Sequence, residues 1–390
     1  MFFDQNRKLI IKFLPLCTLL VLAVLNFFLL LRHKSPYVTD SYFYNHVFYR
    51  FQGYSFDESY NKILEKIDID KFDKIGKNFF LTTDKYQYTL SRYIRRPLYP
   101  FTAFLLNLIV QNEYLAFILP NFFSYVGCFI LLYLLFRFRF DNLWSTFGTA
   151  LFIGFYPFLD WSTYFLTDTI GAFFWLLQIY LVFRFVQKPK NTVFVAYVTS
   201  LIISLFNREL GVLLFIVILP FLINARRFKL RKNTILRLKK LFIVSAGISL
   251  VYIILNRILN QPSLYDSWIY LQSNFGYNSG YYPPMQTMLF LINELVRLHQ
   301  GLFMELIRHR WWGLFTLLGF VGVFQVFFVC KKPAFIDMLI LSSSAVAYIG
   351  LIIVPFLSYR YFYPTIIGVI YFSIHASQFI FAWQKRKKGA

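Results

Sequence analysis

Three cysteines in 390 residues are too few for a disulfide scaffold. Cys17, Cys128 and Cys330 all fall inside apolar runs, with no C-x-x-C pair and no histidine at ligand spacing, so they read as small buried hydrophobes. Charge is scarce as well. Only 15% of the residues are charged, which excludes a disordered chain and a coiled coil, and 17 glycines cannot supply a collagen repeat. Nucleotide machinery is missing too. There is no Walker loop, no Rossmann fingerprint and no Gly-x-Ser-x-Gly, and Glu294, His299, Glu305 and His309 show no H-E-x-x-H spacing. A soluble nucleotide donor has no obvious cradle here.

What remains is apolar. The chain is 58% hydrophobic and 22% aromatic, with 50 Phe, 28 Tyr and a mean hydropathy of +0.55. A soluble protein of this size has nowhere to bury so much apolar surface, whereas runs of about 20 such residues are membrane spans. The net charge of +22 fits either nucleic-acid binding or the basic cytoplasmic loops of a membrane protein, and the positions of the charges decide between them.

Ten apolar runs stand out, near 11–31, 114–136, 143–159, 165–186, 192–206, 209–224, 241–260, 311–330, 334–357 and 361–383. The first is too long for a signal-peptide core and lacks a small-residue cleavage site, so it reads as a retained helix. Basic clusters punctuate alternate gaps: Arg137 with Arg139, Lys188 with Lys190, the block from Arg226 to Lys240, Lys331-Lys332, and Lys385 to Lys388. Placing these clusters inside gives both termini a cytoplasmic address and leaves most acids outside, with no need for nucleic acid. The stretch 97–111 is short for a span and headed by Pro97 and Pro100, so it is read as a helix in the outer interface. The chain divides into a module over 1–224, whose large first outer loop covers 32–113, and a second module over 225–390 with an outer loop at 261–310.

A few charges sit on the face where they should be rare. Asp40 follows the first span, with Tyr44 four residues on, at the head of an amphipathic segment; an N-cap role is the plain alternative. Arg95 and Arg96 precede Pro97-Leu-Tyr99-Pro100, where planar guanidiniums suit a lipid-linked phosphate and snorkelling to headgroups is the plain alternative. Thr167-Asp168 opens one apolar helix, Arg208-Glu209 another, and Arg360-Tyr361 stands before Pro364. Charges near the membrane are costly unless they pair or line a wet cavity, so this set suggests one shared polar cavity. Asp68-Ile-Asp70 has a D-x-D form but lies among alternating Lys and Asp, as a solvated face does.

The order of these motifs is familiar. An outer Asp with a Tyr four residues on, a base before Pro-Leu-Tyr-Pro, a Thr-Asp, an Arg-Glu-x-Gly and a late Arg-Tyr…Pro together resemble the GT-C class of membrane glycosyltransferases. The closest likeness is to the dolichyl-phosphate-mannose protein mannosyltransferase and aminoarabinose transferase group, over most of 1–224 and again at 355–370. The resemblance implies an all-α polytopic membrane fold, GT-C-like, with about ten transmembrane helices and juxtamembrane helices in the first outer loop. It implies an inverting transfer of sugar from a polyprenyl-phosphate donor to a lipid, glycan or protein hydroxyl on the outer face of a plasma (bacterial inner) membrane. By that likeness Asp40 is the catalytic base, Arg95, Arg96 and Arg360 hold the donor phosphate, and Tyr44, Tyr99, Asp168, Arg208, Glu209 and Tyr361 contact substrate. No metal ligand is assigned. Arg95 stands where the family often has an acid, which leaves a divalent cation open and shifts charge neutralisation to two arginines. The loop 261–310 is expected to cover the site. A transporter or flippase for a lipid-linked saccharide and an O-antigen ligase or polymerase are the rival readings. No half-length repeat favours the first, and the early position of the large polar loop disfavours the second.

Overall fold

The computed structural model describes residues 2–72, 74–226, 228, 230–273, 282–308, 310–330, 333–355 and 363–388, and among these residues there is no strand. The long helix α1 (Phe2–Arg32) leads into four short helices: α2 (Thr39–Phe51), α3 (Phe56–Lys66), α4 (Lys74–Leu81) and α5 (Thr83–Ile94). Next come α6 (Leu98–Val110), α7 (Glu113–Arg137), α8 (Asn142–Ile153), α9 (Tyr156–Ser162), α10 (Asp168–Gln187) and α11 (Asn191–Leu205). A 3₁₀ turn (Glu209–Leu213) opens onto α12 (Leu214–Ile223) and α13 (Lys232–Ile258). The chain then forms α14 (Leu264–Gln272), α15 (Pro284–Arg308), α16 (Arg310–Phe324), α17 (Phe335–Ile353) and α18 (Tyr363–Lys388).

Local chemistry sets many of these boundaries. Ser55 and Glu58 exchange backbone bonds in a capping box that starts α3, and Asn112 accepts from Leu115 N at 3.0 Å to start α7. Asp141 does the same for α8, accepting from Trp144 N at 2.9 Å. Gln111, at φ 49°, makes the left-handed residue between α6 and α7.

Seven helices among the described residues are long and apolar enough to cross a membrane: 14–32, 113–137, 168–187, 232–258, 311–329, 335–353 and 363–384. The protein is therefore a polytopic, all-helical membrane protein. The other three expected spans come out shorter or broken. The run 143–159 breaks at Gly154, ahead of Pro157 in α9, and 209–224 begins as the 3₁₀ turn. The 15 residues of α11 extend only about 22 Å, against about 30 Å of hydrocarbon. The 13-residue α6 is shorter still, as its sequence led us to expect. It lies against α2 and α7 and leaves Phe101, Leu105, Leu108 and Ile109 exposed.

One apolar core runs from Leu19 on α1 to Ile374 on α18. Helices α16 and α18 approach closely because Gly319 and Gly322 face the α18 backbone; a Cβ on Gly322 would lie 1.9 Å from Phe372 O. Large apolar side chains on α1, α13 and α16 stay exposed, Leu22, Ile243, Val251 and Phe320 among them, which suits lipid as the surrounding solvent.

At one end of the bundle a buried carboxylate ties two helices and the α7–α8 turn together. Asp337 Oδ2 accepts from Ala334 N at 2.7 Å, and Oδ1 accepts from Tyr371 Oη at 2.5 Å and lies 3.2 Å from His375 Nε2 and from Arg139 Nε. The candidate site lies at the other end.

Candidate active site

Asp40 lies in the first turn of α2, and Val38, not Asp40, is the residue before the helix. The carboxylate is therefore not used as a cap. Its Oδ1 accepts from Tyr93 Oη on α5 at 2.8 Å. Burial, reinforced by Asp40, holds the Tyr93 phenol well above its ordinary value, so it remains a donor.

Tyr44, one turn beyond Asp40, is buried, and its hydroxyl shares a 3.0 Å hydrogen bond with Thr167 Oγ1. The same phenol lies within electrostatic reach of Arg96, Arg208 and Asp40, which puts charges from three distant parts of the sequence around one ring. Thr167 spends its side chain on Tyr44 and caps nothing. Asn207 Nδ2 donates to Thr167 O at 3.0 Å, locking the start of α10 to the end of α11.

Asp168 is the first residue of α10, where the helix dipole favours a carboxylate, and its Oδ1 lies 2.8 Å from Arg208 Nη1. The pair is nearly closed to solvent, at 5% and 11% side-chain exposure. Gly171 makes this possible, since a Cβ there would come within 3.0 Å of Arg208 Cδ. Arg208 also hydrogen-bonds the Tyr363 hydroxyl at the head of α18.

The two adjacent arginines converge on a single acid. Arg96 grips Glu209 through Nε to Oε1 at 3.2 Å and Nη2 to Oε2 at 3.0 Å, while Arg95 Nε approaches Oε1 to 2.8 Å. That last contact is close but not aligned as a hydrogen bond, so Arg95 Nε is a buried donor without an acceptor. Leu98 N donates to Phe206 O at 3.1 Å, a backbone tie that brings the α5–α6 corner to the α11 end and the arginines to Glu209.

Part of the loop 261–310 packs beside Arg92 and Arg95. Ser263 and Asp266 form a capping box that starts α14. Arg92 Nη2 donates to Asp266 O at 2.7 Å, Nη1 donates to Ser267 Oγ at 3.1 Å, and the guanidinium lies 4.1 Å from the Tyr270 ring centroid. Arg95 Nη1 donates to Pro262 O at 2.9 Å, and Trp268 Nε1 donates to Ile353 O at 2.8 Å. Residues 274–281 of the same loop lie outside the described residues.

The expected site residues thus separate into groups. Asp40, the Asp168–Arg208 pair and the Arg95/Arg96–Glu209 set gather around Tyr44, whose phenol is within electrostatic reach of Asp40, Arg96 and Arg208. Tyr99, expected to touch substrate, is fully buried and donates to Phe117 O at 3.0 Å, and Tyr44 is likewise turned to internal bonding, so both act as walls of the cluster. Arg360 and Tyr361 lie outside the described residues. Tyr93, Arg92 and Tyr363 escaped the sequence reading. Tyr363 adjoins a motif already singled out, but nothing separates Tyr93 from the other tyrosines.

Asp70 is 95% exposed and pairs with Lys77 at 3.0 Å, and Glu294 and Glu305 pair with Arg297 and Arg308 one turn away. Among the described residues, no three His, Cys, Asp or Glu side chains gather as metal ligands.

Space at the cluster is tight. A cavity of about 10 Å³ lies beside Arg208, Gln178 and Gly211, room for roughly one water. A larger one, about 320 Å³, is lined by His46, Arg50, Phe56, Gln87, Leu90 and Ile94, away from Asp40.

Residues 95–254 match the family described as dolichyl-phosphate-mannose-protein mannosyltransferase. The matched stretch contains Arg95, Arg96, Asp168, Arg208 and Glu209, and begins after Asp40. No curated protein and no solved structure matches the chain. The likeness to the GT-C group seen in the motif order therefore has independent support, and with the helical architecture it supports a multi-pass membrane glycosyltransferase.

Proposed function

We propose that the protein is an inverting glycosyltransferase. It moves a sugar from a polyprenyl-phosphate donor to a hydroxyl of a lipid, glycan or protein acceptor, on the outer face of a cell-envelope membrane. The observation that carries this reading is the convergence of Arg95 and Arg96 on one carboxylate, in the same cluster as Asp40.

Charge arithmetic supports a lipid monophosphate. Around Glu209 two guanidiniums meet one carboxylate, a local surplus of one positive charge. A sugar phosphodiester carries one negative charge. The leaving phosphate gains a second during transfer, and arginines fixed in a water-poor pocket stabilise that developing charge.

Asp40 takes the proton of the acceptor hydroxyl as its oxygen attacks the anomeric carbon and the bond to phosphate oxygen breaks. A single displacement of this kind inverts the anomeric centre. Tyr93 orients the carboxylate. Helix α14 is the cover, and its latch to Arg92 and Arg95 ties its position to the residues that hold the donor.

The opposite end supports this orientation. Arg137, Arg139, Arg184, Lys188 and Lys190 cluster at the far ends of α7 and α10, which supports a cytoplasmic address there and an outer address for the site.

Purified Asp40→Asn tests the base. It should stay folded and bind polyprenyl phosphate while transferring no sugar from a lipid-linked donor. Transfer at the wild-type rate would remove Asp40 from that role.

A further inference from the structure

Arg96 spends its whole bidentate edge, Nε and Nη2, on Glu209. That edge is the one by which a guanidinium holds two oxygens of a phosphate. The donor read above and Glu209 therefore want the same hydrogen bonds.

The two ion pairs of the cluster are not equivalent. Asp168 and Arg208 form a pair nearly closed to solvent, with Asp168 fixed in the first turn of a long helix. Glu209 is shared between two arginines, leaves Arg95 Nε without an aligned acceptor, and keeps 29% of its side chain exposed. It also starts a five-residue 3₁₀ segment, a less firmly bonded backbone than an α-helix, between Arg208 and α12.

From these contacts we infer that Glu209 is an exchangeable internal anion. It orients Arg95 and Arg96, gives up Arg96 when the donor phosphate arrives, and takes it back to expel the polyprenyl phosphate product. Asp168 keeps Arg208 throughout. This makes Glu209 a positioning residue and not a substrate ligand, and the inference rests on the phosphate-clamp reading of Arg95 and Arg96.

Neutralising Glu209 then has a signature that simple loss of structure lacks. Glu209→Gln keeps the shape, removes the competing charge, and should bind farnesyl phosphate, a short polyprenyl monophosphate, roughly tenfold more tightly than wild type. Steady-state kcat and KM should fall together, with a burst of the first turnover, because product leaves slowly. Equal or weaker binding by Glu209→Gln, with wild type binding well, would overturn the exchange and leave the clamp reading standing. No binding by either protein, with both folded, would overturn the clamp and the exchange with it. A second measurement needs no variant: infrared difference spectra of wild type should show a carboxylate band shifting when farnesyl phosphate is added. An unchanged carboxylate region at saturating ligand would also sink the exchange.

Discussion

Two polar clusters sit at opposite ends of the same helices, and they are built differently. At one end a single acid, Asp337, is surrounded: Ala334 N, Tyr371, His375 and Arg139 all address it, and both of its oxygens are used. At the other end Glu209 divides itself between Arg95 and Arg96, and Arg95 Nε, Arg92 Nε and the Asn207 Oδ1 acceptor are buried without hydrogen-bond partners. Buried polar groups in folded proteins are usually satisfied, and those that are not call for an explanation. The Asp337 cluster is complete as a structural tie between α17, α18 and the α7–α8 turn. The Glu209 cluster has a surplus of positive charge and unused donors, the character of a place where something else binds. The family match adds weight to that contrast, since it takes in the second cluster and stops well before Asp337.

The comparison can be broken from either side. The largest effect should come from Asp337→Ala, which leaves His375, Tyr371 and Arg139 facing a cavity. Removing one partner from a buried charged network typically costs about 3–5 kcal/mol, so thermal unfolding in detergent should fall sharply while transfer per folded molecule is kept. Loss of transfer without loss of stability would place function at the wrong end.

Next in size is Arg96→Gln. Removing one preorganised group from a transition-state clamp costs about 10²–10³ in turnover, or about 2.7–4 kcal/mol, and here it should leave the melting temperature nearly unchanged. A drop in stability as large as that of Asp337→Ala would erase the distinction between the clusters.

The smallest effect belongs to Tyr93→Phe, which removes one hydrogen bond to Asp40 and should cost about 1 kcal/mol in stability. Its useful readout is the pH–rate profile. A donated hydrogen bond favours the ionised carboxylate, so its loss should move the acid limb to higher pH. An unmoved limb would mean that Tyr93 only packs against α2.

Much of the fold was legible in the sequence because the bilayer imposes a long, strict pattern. Among the described residues, all seven helices long enough to cross coincide with apolar runs, and the shortness of 97–111 was visible from its length and prolines. In the three weaker runs apolar composition does not reveal where Gly154 breaks a helix or where 209–213 tightens into a 3₁₀ turn. The site was half legible. Arg95, Arg96, Arg208, Glu209, Asp40 and Asp168 drew attention as charges in places where charge is expensive. Their partners did not. That Glu209 would serve two arginines lying more than 110 positions earlier, or that Tyr93 would hold Asp40, follows from no spacing.

Composition and the placement of charge determined by themselves that this chain is a membrane protein, which of its helices are long, and which few charges are out of place. They could do so because transfer into hydrocarbon is additive along the chain and has the length scale of one helix. Tertiary structure alone decided which charge meets which: the backbone tie of Leu98 to Phe206 brings Arg96 to Glu209, and the packing of α2 on α5 brings Asp40 to Tyr93. Ion pairs depend on separations of a few ångströms between distant segments, and only the packed helices set those.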